Sequence, residues 1–294
     1  MAKASQQNPL PYFIRITVFL LIIAVTLSSS CVKLALRFSQ SIFDAFSQSF
    51  LQECDPQLAR EALPGQLKLA EALLQEAPGN KKILASLCTG YTGYALLFVE
   101  EGQPARASNL YLRGLQYGLK SLGVAQSMIK GGKINEFLER LSHNDLSAIF
   151  WTTVAWLRWI SLNLDKPSAL AQMPLAVTAL KYVMNTDPNY FYGVAYAIMG
   201  CVLVSQGSSL GADLSTAREY FEKALQISKK RLFLVQFLYA RYYAVAKQDR
   251  DLFRSLLEQV VNGSPSTIKE VCLVNQVMKQ RAKVLLESMD EFFV

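Results

Sequence analysis

Few residues in this sequence have the chemistry to be modified or to catalyse a reaction, and the first of them is Cys31. It lies in the stretch TLSSSCVKLAL, directly after an apolar segment at residues 13–27 that only Arg15 and two threonines interrupt. A basic start, an apolar run of this length and small residues before the cysteine are typical of an export signal. The pattern resembles the site at which bacterial lipoproteins are lipidated and cut. We therefore predict that residues 1–30 are a signal peptide of the lipoprotein type and that Cys31 carries lipid.

Two other interpretations of this segment stay open. The usual lipoprotein pattern has a large aliphatic residue three positions before the cysteine, where this sequence has Ser28, and Leu27 lies one position further away. The segment would then be an ordinary cleaved signal or an uncleaved anchor. A membrane-spanning helix needs about 20 apolar residues, and Lys33 and Arg37 follow the cysteine closely. A spanning helix is therefore the weaker interpretation.

The other four cysteines are Cys54, Cys88, Cys201 and Cys272, and they are spread singly without a CxxC motif. An even number of cysteines in an exported protein leaves disulfide pairing open. However, Cys88, Cys201 and Cys272 each lie in an apolar helical stretch, where a free cysteine behaves as a small buried hydrophobe. We therefore expect buried free thiols at these three positions.

The sequence contains no complete catalytic pattern. His143 in LSHND is the single histidine, which excludes two-histidine metal centres, and Walker and GxGxxG motifs are missing. GSSLG at 207–211 has the GxSxG spacing, but it lies in a breaker between helical stretches and not after a strand, so it does not predict a nucleophile elbow. The acidic pairs Glu100–Glu101 and Asp290–Glu291 are adjacent in sequence and cannot face each other on a helix, so we expect them at solvated helix ends. We predict no enzyme, no metal site and no cofactor.

The charge of the chain is mildly basic. Loss of Lys3 and Arg15 with the signal would lower the formal charge from +7 to +5 and leave a mature chain of 264 residues. The basic residues are scattered rather than interleaved with aromatic ones, so no nucleic-acid partner is predicted. A mild positive charge suits a protein held at an anionic lipid surface.

Apolar residues recur at every third or fourth position throughout, and this period predicts an all-α fold. Breakers, among them ALPG at 62–65, divide the helical stretches. The pattern of small and aromatic residues resembles the tetratricopeptide repeat, most clearly at Ala107, Tyr111 and Gly114. The second helices of the imperfect units begin their pattern at Gln66, Ala107, Ala176, Ala217 and Leu252. We predict a tetratricopeptide-like helix-pair repeat, an α-solenoid, with extra flanking helices.

We assign residues 31–294 to a single α-helical domain of this type. A helical segment near 120–145 fills the longest interval between repeat units and is interpreted as an insertion. A capping helix is predicted near 267–291, and the sequence from Thr267 to Glu270 fits a capping box at its start.

The stretch at residues 146–164 carries all three tryptophans on more than one side, so the helix must be covered nearly all round. The simpler interpretation is a central core helix. The other is that some of these rings line an apolar cleft, because ligand clefts are mostly apolar and aromatic. The candidate ligand-binding residues are Tyr91, Tyr94, Phe98, Trp151, Trp156 and Trp159.

Three longer stretches resemble the T-component (TatT) family of tripartite ATP-independent periplasmic (TRAP) transporters. They are GYTGYALLFVEEGQPARASNLYLRGLQYGLKSL at 90–122, AIFWTTVAWLRWISLNLDKPSAL at 148–170 and FLYARYYAVAKQDRDLFRSLLEQVV at 237–261. The resemblance covers nearly all of the predicted mature chain, and these three stretches are far more specific than the generic repeat pattern.

The resemblance implies a lipid-anchored, tetratricopeptide-like protein of the periplasm that assembles as a homotrimer. It further implies an apolar pore or cleft in each protomer, a hydrophobic small molecule as ligand, and the substrate-binding P-component of the transporter as partner. The family has no catalytic residues to carry over. The alternative is a tetratricopeptide-like scaffold for envelope proteins with no ligand of its own; an unrecognised hydrolase is a more distant third reading.

Replacement of the lipidated thiol tests the predicted anchor. Cys31→Ala in the full chain, expressed with its signal, is expected to abolish metabolic labelling with palmitate and to release the protein from membranes, because the side chain that accepts the lipid is gone. Labelling of the variant equal to that of the wild type would contradict the anchor.

Overall fold

The computed structural model describes residues 48–124, 134–205 and 213–293, and their secondary structure is helical and free of strands. The all-α prediction is thus confirmed for the described part of the chain. The predicted signal peptide, Cys31 and residues 125–133 of the predicted insertion lie outside the described residues.

The helices follow one another with short connections. The first four are α1 (Pro56–Glu76), α2 (Lys81–Tyr94), α3 (Pro104–Leu122) and α4 (Ile134–Leu138). The next five are α5 (Leu146–Ser161), α6 (Pro167–Leu170), α7 (Met173–Thr186), α8 (Val194–Ser205) and α9 (Leu214–Ser228). The last four are α10 (Phe233–Leu238), α11 (Val245–Lys247), α12 (Arg250–Asn262) and α13 (Cys272–Glu287).

Two short π-helical segments continue these helices. The first π-turn, Ala95–Val99, extends α2 without a break, and the second π-turn, Tyr239–Ala244, joins α10 to α11. Lys81–Val99 is, among the described residues, the one helix long and apolar enough to cross a membrane. Half of that stretch is buried inside the protein, as in the core helix of a folded domain.

The helix α1 corrects the predicted break at ALPG. It begins after Asp55, whose carboxylate accepts hydrogen bonds from the backbone of Gln57 and Leu58, and it continues through Pro64 and Gly65 to Glu76. Proline removes one backbone donor and normally ends or kinks a helix. Here the neighbouring turns pack on α2 through Leu67 and Ala70, and this packing keeps the helix continuous.

The core is built from helices in close contact. The helix α3 packs on α2 and on α5, and α5 packs in turn on α7. Gly118 shows how near these backbones come, because a Cβ atom at this position would lie 2.1 Å from Thr152 Oγ1 and 2.8 Å from Cys88 Sγ. Only glycine fits there. The small and aromatic residues that suggested the repeat are buried, including Ala107, Tyr111, Ala176, Ala217 and Phe221.

The tryptophan helix α5 is covered on nearly every side, as its sequence predicted. Its buried residues run from Leu146 to Ile160, and Trp156 is only 1% exposed. The Trp156 indole donates a hydrogen bond to Gln172 Oε1 at 2.9 Å. This helix therefore forms the centre of the fold.

A disulfide between Cys54 and Cys272 joins the start of the described chain to its last long helix, with the Cα atoms 5.2 Å apart. The expectation of a free thiol at Cys272 is therefore wrong, although this sulfur is buried as predicted. Cys88 and Cys201 are free, and Cys88 is buried as predicted, whereas Cys201 is only half-buried. Loss of hydration raises the pKa of each thiol to about 12. The bridge escaped prediction because its partners lie 218 residues apart in sequence.

The same bridge accompanies a packing contact between α13 and α1. In a linear repeat array each unit contacts only its neighbours. A linear array of helix pairs would not produce this contact between the first and the last long helix. The contact brings α1, α2 and α13 together around the first π-turn.

The last long helix begins later than its sequence pattern predicts. The predicted capping box at Thr267 is wrong, because α13 begins only at Cys272, after two short 3-10 turns, and Val271 at its N-cap makes no side-chain bond. The described part of the segment near 120–145 includes α4, which packs on α7 through buried Ile134 and Phe137.

Removal of the disulfide is expected to lower the free energy of unfolding. In the chain-entropy model a closed loop of this length contributes about 5 kcal/mol, and measured losses are typically 2–5 kcal/mol. We expect Cys54→Ser to lose about 2–5 kcal/mol in denaturant-induced unfolding. Reductant should destabilise the wild type to the same extent and leave the variant unchanged; a wild type indifferent to reductant would contradict the bridge.

Candidate functional site

A cleft of about 490 Å3 lies beside α5, and it has the size of a small-molecule site. Helices α5, α8, α10 and α13 and both π-turns or their flanks contribute to it. Most of its lining is apolar: Leu96, Phe150, Trp151, Val154, Leu157, Leu162, Phe191, Val194, Ile198, Cys201, Leu234, Phe237, Leu238, Val284 and Leu285. We call this cavity the α5 cleft.

Both π-turns border the α5 cleft. Leu96 belongs to the first, and Arg241 and Tyr242 belong to the second. A π-helical turn is a less stable alternative to regular α-helix and occurs frequently at functional sites. Their meeting at one cavity marks the cleft as a candidate site.

The aromatic wall of the cleft contains an unusual backbone. Phe191 and Tyr192 have φ angles of 44° and 58°, values that side-chain-bearing residues rarely adopt. This conformation places the Phe191 ring 5.7 Å from that of Phe150 and 5.6 Å from that of Trp151, measured between ring centroids. Strain of this kind clusters at functional sites, and here it fixes one wall of the cleft.

An ion pair with two tyrosine partners borders the cleft. Arg158 donates from Nε to Glu100 Oε2 at 3.1 Å, pairs with the same carboxylate through Nη2, and donates from Nη1 to the Tyr242 hydroxyl at 3.0 Å. Tyr111 donates its hydroxyl proton to Glu100. We call these four residues the Arg158 bridge, and it links the end of the first π-turn to the second.

The Arg158 bridge corrects the expectation for Glu100. Its side chain is 17% exposed, whereas that of Glu101 is 56% exposed and matches the predicted solvated helix end. Burial alone would lower the pKa of Arg158, but Tyr242, Glu100 and Tyr111 outweigh it, so the pKa lies well above its usual value. Burial and the Glu100 charge likewise raise the pKa of Tyr111. Arg158 therefore keeps its charge, and Tyr111 keeps its phenol proton, at any physiological pH.

A second, more open groove of about 700 Å3 lies between α1, the first π-turn and α13. It shares Glu101, Arg281 and Val284 with the α5 cleft. Arg281 donates to the carbonyl oxygens of Leu96 and Leu97 at 2.8 and 3.1 Å, and its Nε lies 3.1 Å from Glu101 Oε1. Arg281 therefore forms part of the wall between the two cavities.

The structure separates the six predicted ligand-binding residues. Trp151 lines the α5 cleft, and Tyr94 and Phe98 line the second groove. The other three line neither cavity. The buried Tyr91 hydroxyl donates to Glu71 at 2.7 Å, Trp156 is in the core, and Trp159 packs half-buried against it.

Several residues of the cleft are not predicted as site residues by the sequence, among them Phe150, Phe191, Arg241 and Tyr242. Phe150 is adjacent to Trp151, but the tryptophan pattern of α5 does not single it out. Phe191 follows the breaker TDPN, which predicted a turn but not its left-handed backbone. Arg241 and Tyr242 lie in FLYARYY, whose helical pattern gives no sign of a π-turn.

Comparison with known proteins bears on this architecture. The family model described as TRAP transporter T-component matches residues 52–293. The chain belongs to the TRAP transporter T-component family. A relative in Treponema pallidum (strain Nichols), an uncharacterized protein, is 23% identical over 270 residues, which span 85% of this chain and 84% of the relative.

Membership in the T-component family indicates an accessory role in TRAP transport and an envelope or periplasmic location. The disulfide agrees with such a location, because disulfides persist in oxidising compartments. The family is a transporter component and not an enzyme family. Within the described ranges no group of three His, Cys, Asp or Glu residues is placed to hold a metal, and His143 lies exposed in a 3-10 turn.

Proposed function

We propose that this T-component is a lipid-anchored periplasmic protein that holds an apolar small molecule in the α5 cleft and docks to the P-component of its transporter. The observation that carries the proposal is the cleft itself, with its apolar lining, both π-turns and the strained Phe191 at one place. Strained backbone costs stability and clusters at functional sites. These features therefore favour a ligand site over simple core packing.

The α5 cleft is a better ligand site than the second groove. Its wall combines aromatic rings from α5 and from the turn before α8, and most of its lining residues are apolar. Polar and charged side chains such as Gln57, Arg60, Glu61 and Gln280 surround the groove instead. An apolar molecule loses more water-exposed surface in the cleft, and each Å2 of apolar surface removed from water contributes about 25 cal/mol.

We further propose that the helix pairs stack as a tetratricopeptide-like array and that three copies of the chain assemble as a homotrimer. The buried small residues at Ala107, Ala176 and Ala217 support such stacking. Stacked helix pairs present extended surfaces that suit protein partners. The P-component would dock on such a surface, and the lipid on Cys31 would keep the complex at the membrane.

A matched pair of substitutions tests the cleft. Leu162 lines it, whereas Leu164, two residues later, is 48% exposed and outside it. Leu162→Trp is expected to fill part of the cavity and to weaken binding of the neutral apolar dye Nile red at least tenfold, measured by fluorescence titration. Leu164→Trp should bind the dye as the wild type does.

The same proteins distinguish a ligand-binding subunit from a pure assembly scaffold. Wild type purified from membranes is expected to release a small apolar molecule on solvent extraction, detected by mass spectrometry, and Leu162→Trp should release much less. An empty wild-type extract together with equal dye binding by both variants would contradict the ligand proposal and favour the scaffold.

A further inference from the structure

Arg241 is the one cation of the α5 cleft that lacks an acidic partner among the described residues. The other two arginines of the lining are paired, Arg158 with Glu100 and Arg281 with Glu101. Glu100 and Glu101 are also the only acidic residues of that lining. The cleft therefore carries one surplus positive charge, and this charge is on the second π-turn.

The C-terminal segment holds the Arg241 side chain in place. The guanidinium carbon lies 4.9 Å from the centroid of the Phe292 ring, a cation–π distance. Phe292 is itself fixed, because its ring packs 6.0 Å from that of Phe253 and its carbonyl oxygen accepts a hydrogen bond from Gln248 Nε2 at 3.1 Å. The aromatic residues at the end of the chain thus pack inward and position a cation beside the cleft.

When a guanidinium lies over an aromatic ring, its N–H groups lie in the plane of the guanidinium and point away from its centre. They therefore stay free to donate hydrogen bonds. Those N–H groups match the two oxygens of a carboxylate. The remainder of the cleft offers aromatic and aliphatic surface, from Trp151 and Phe191 to Leu234 and Ile198. The site therefore joins one anion-binding group to a long apolar wall.

We propose that the α5 cleft selects a single-chain amphipathic anion, whose carboxylate binds Arg241 and whose apolar body lies against the aromatic wall. This inference rests on the proposed function, since it specifies the ligand of the same cavity. A volume of about 490 Å3 is in the lower half of the range of about 300–1,000 Å3 for small-molecule sites. It suits one chain and excludes a two-chain phospholipid.

Competition with matched ten-carbon compounds tests the inference. The purified protein, loaded with Nile red, is titrated with decanoate, decan-1-ol or decyltrimethylammonium, which share a chain and differ in head-group charge. Decanoate is expected to displace the dye five to ten times more effectively than the alcohol, and the cation least effectively. A charge-assisted hydrogen bond at a partly exposed site supports a preference of about this size.

Substitutions at Arg241 test whether this residue causes the preference for decanoate over decan-1-ol. Arg241→Gln is expected to bind decanoate and decanol equally, with the affinity of each compound calculated from the variant's own affinity for Nile red. Arg241→Lys should restore part of the preference, since it keeps the charge but loses the planar fork. Arg254→Gln, at an arginine outside the cleft on α12, is the control and should leave the preference intact.

The outcomes separate the inference from the proposed function. Equal displacement by decanoate and decanol in the wild type, or a preference that survives in Arg241→Gln, would overturn the inference and leave an apolar cleft. Failure of Nile red to bind the wild type would overturn both. Sedimentation of the wild type, but not of Arg241→Gln, with phosphatidylglycerol vesicles, together with no displacement of the dye by decanoate, would assign the cation to a lipid surface and also overturn the inference.

Discussion

The shape of the α5 cleft depends on the ion pair between Arg158 and Glu100. Arg158 is the one charged residue of the central helix α5, and its guanidinium links the end of the first π-turn to Tyr242 on the second. A largely buried charge is costly unless it is paired and hydrogen-bonded. Glu100 follows the first π-turn and Tyr242 belongs to the second. Because both bond to Arg158, the bridge fixes the position of one π-turn relative to the other and so the shape of the cleft.

The rest of the fold brings these elements together. The disulfide between Cys54 and Cys272 and the contact of α13 with α1 hold the last helix beside the first π-turn, where Arg281 binds two of its carbonyl groups. On the other side the strained turn at Phe191 completes the aromatic wall. Local strain persists only where the surroundings fix it. A strained turn and a largely buried charge both cost stability, and under the proposed function they maintain a preformed cavity for a ligand.

Much of the fold could be predicted because it follows from periodicity and residue size. The three-to-four period gave the helices, and small residues such as Ala107 marked close packing. The tryptophans on several faces of α5 predicted a covered helix. Helical periodicity carries no information about residues that are far apart in sequence. It therefore could not predict the Cys54–Cys272 disulfide or the ion pair with Arg158 that buries Glu100. The left-handed backbone at Phe191 and the π-turn at Arg241 depend on tertiary contacts, and therefore most of the site appeared only in the structure.

Glutamine substitutions at the adjacent residues Glu100 and Glu101 test the central role of the Arg158 bridge, with unfolding and Nile red binding measured on the same samples. Glu100→Gln should lower the free energy of unfolding by about 3 kcal/mol, since it leaves a buried guanidinium without its counter-ion, and should weaken dye binding. Glu101→Gln should cost less, about 1 kcal/mol, because the Glu101 side chain is itself 56% exposed and Arg281 keeps its hydrogen bonds to the carbonyl oxygens of Leu96 and Leu97. It should also weaken dye binding less than Glu100→Gln does. Equal, small effects at both positions would contradict the dependence of the cleft on this ion pair.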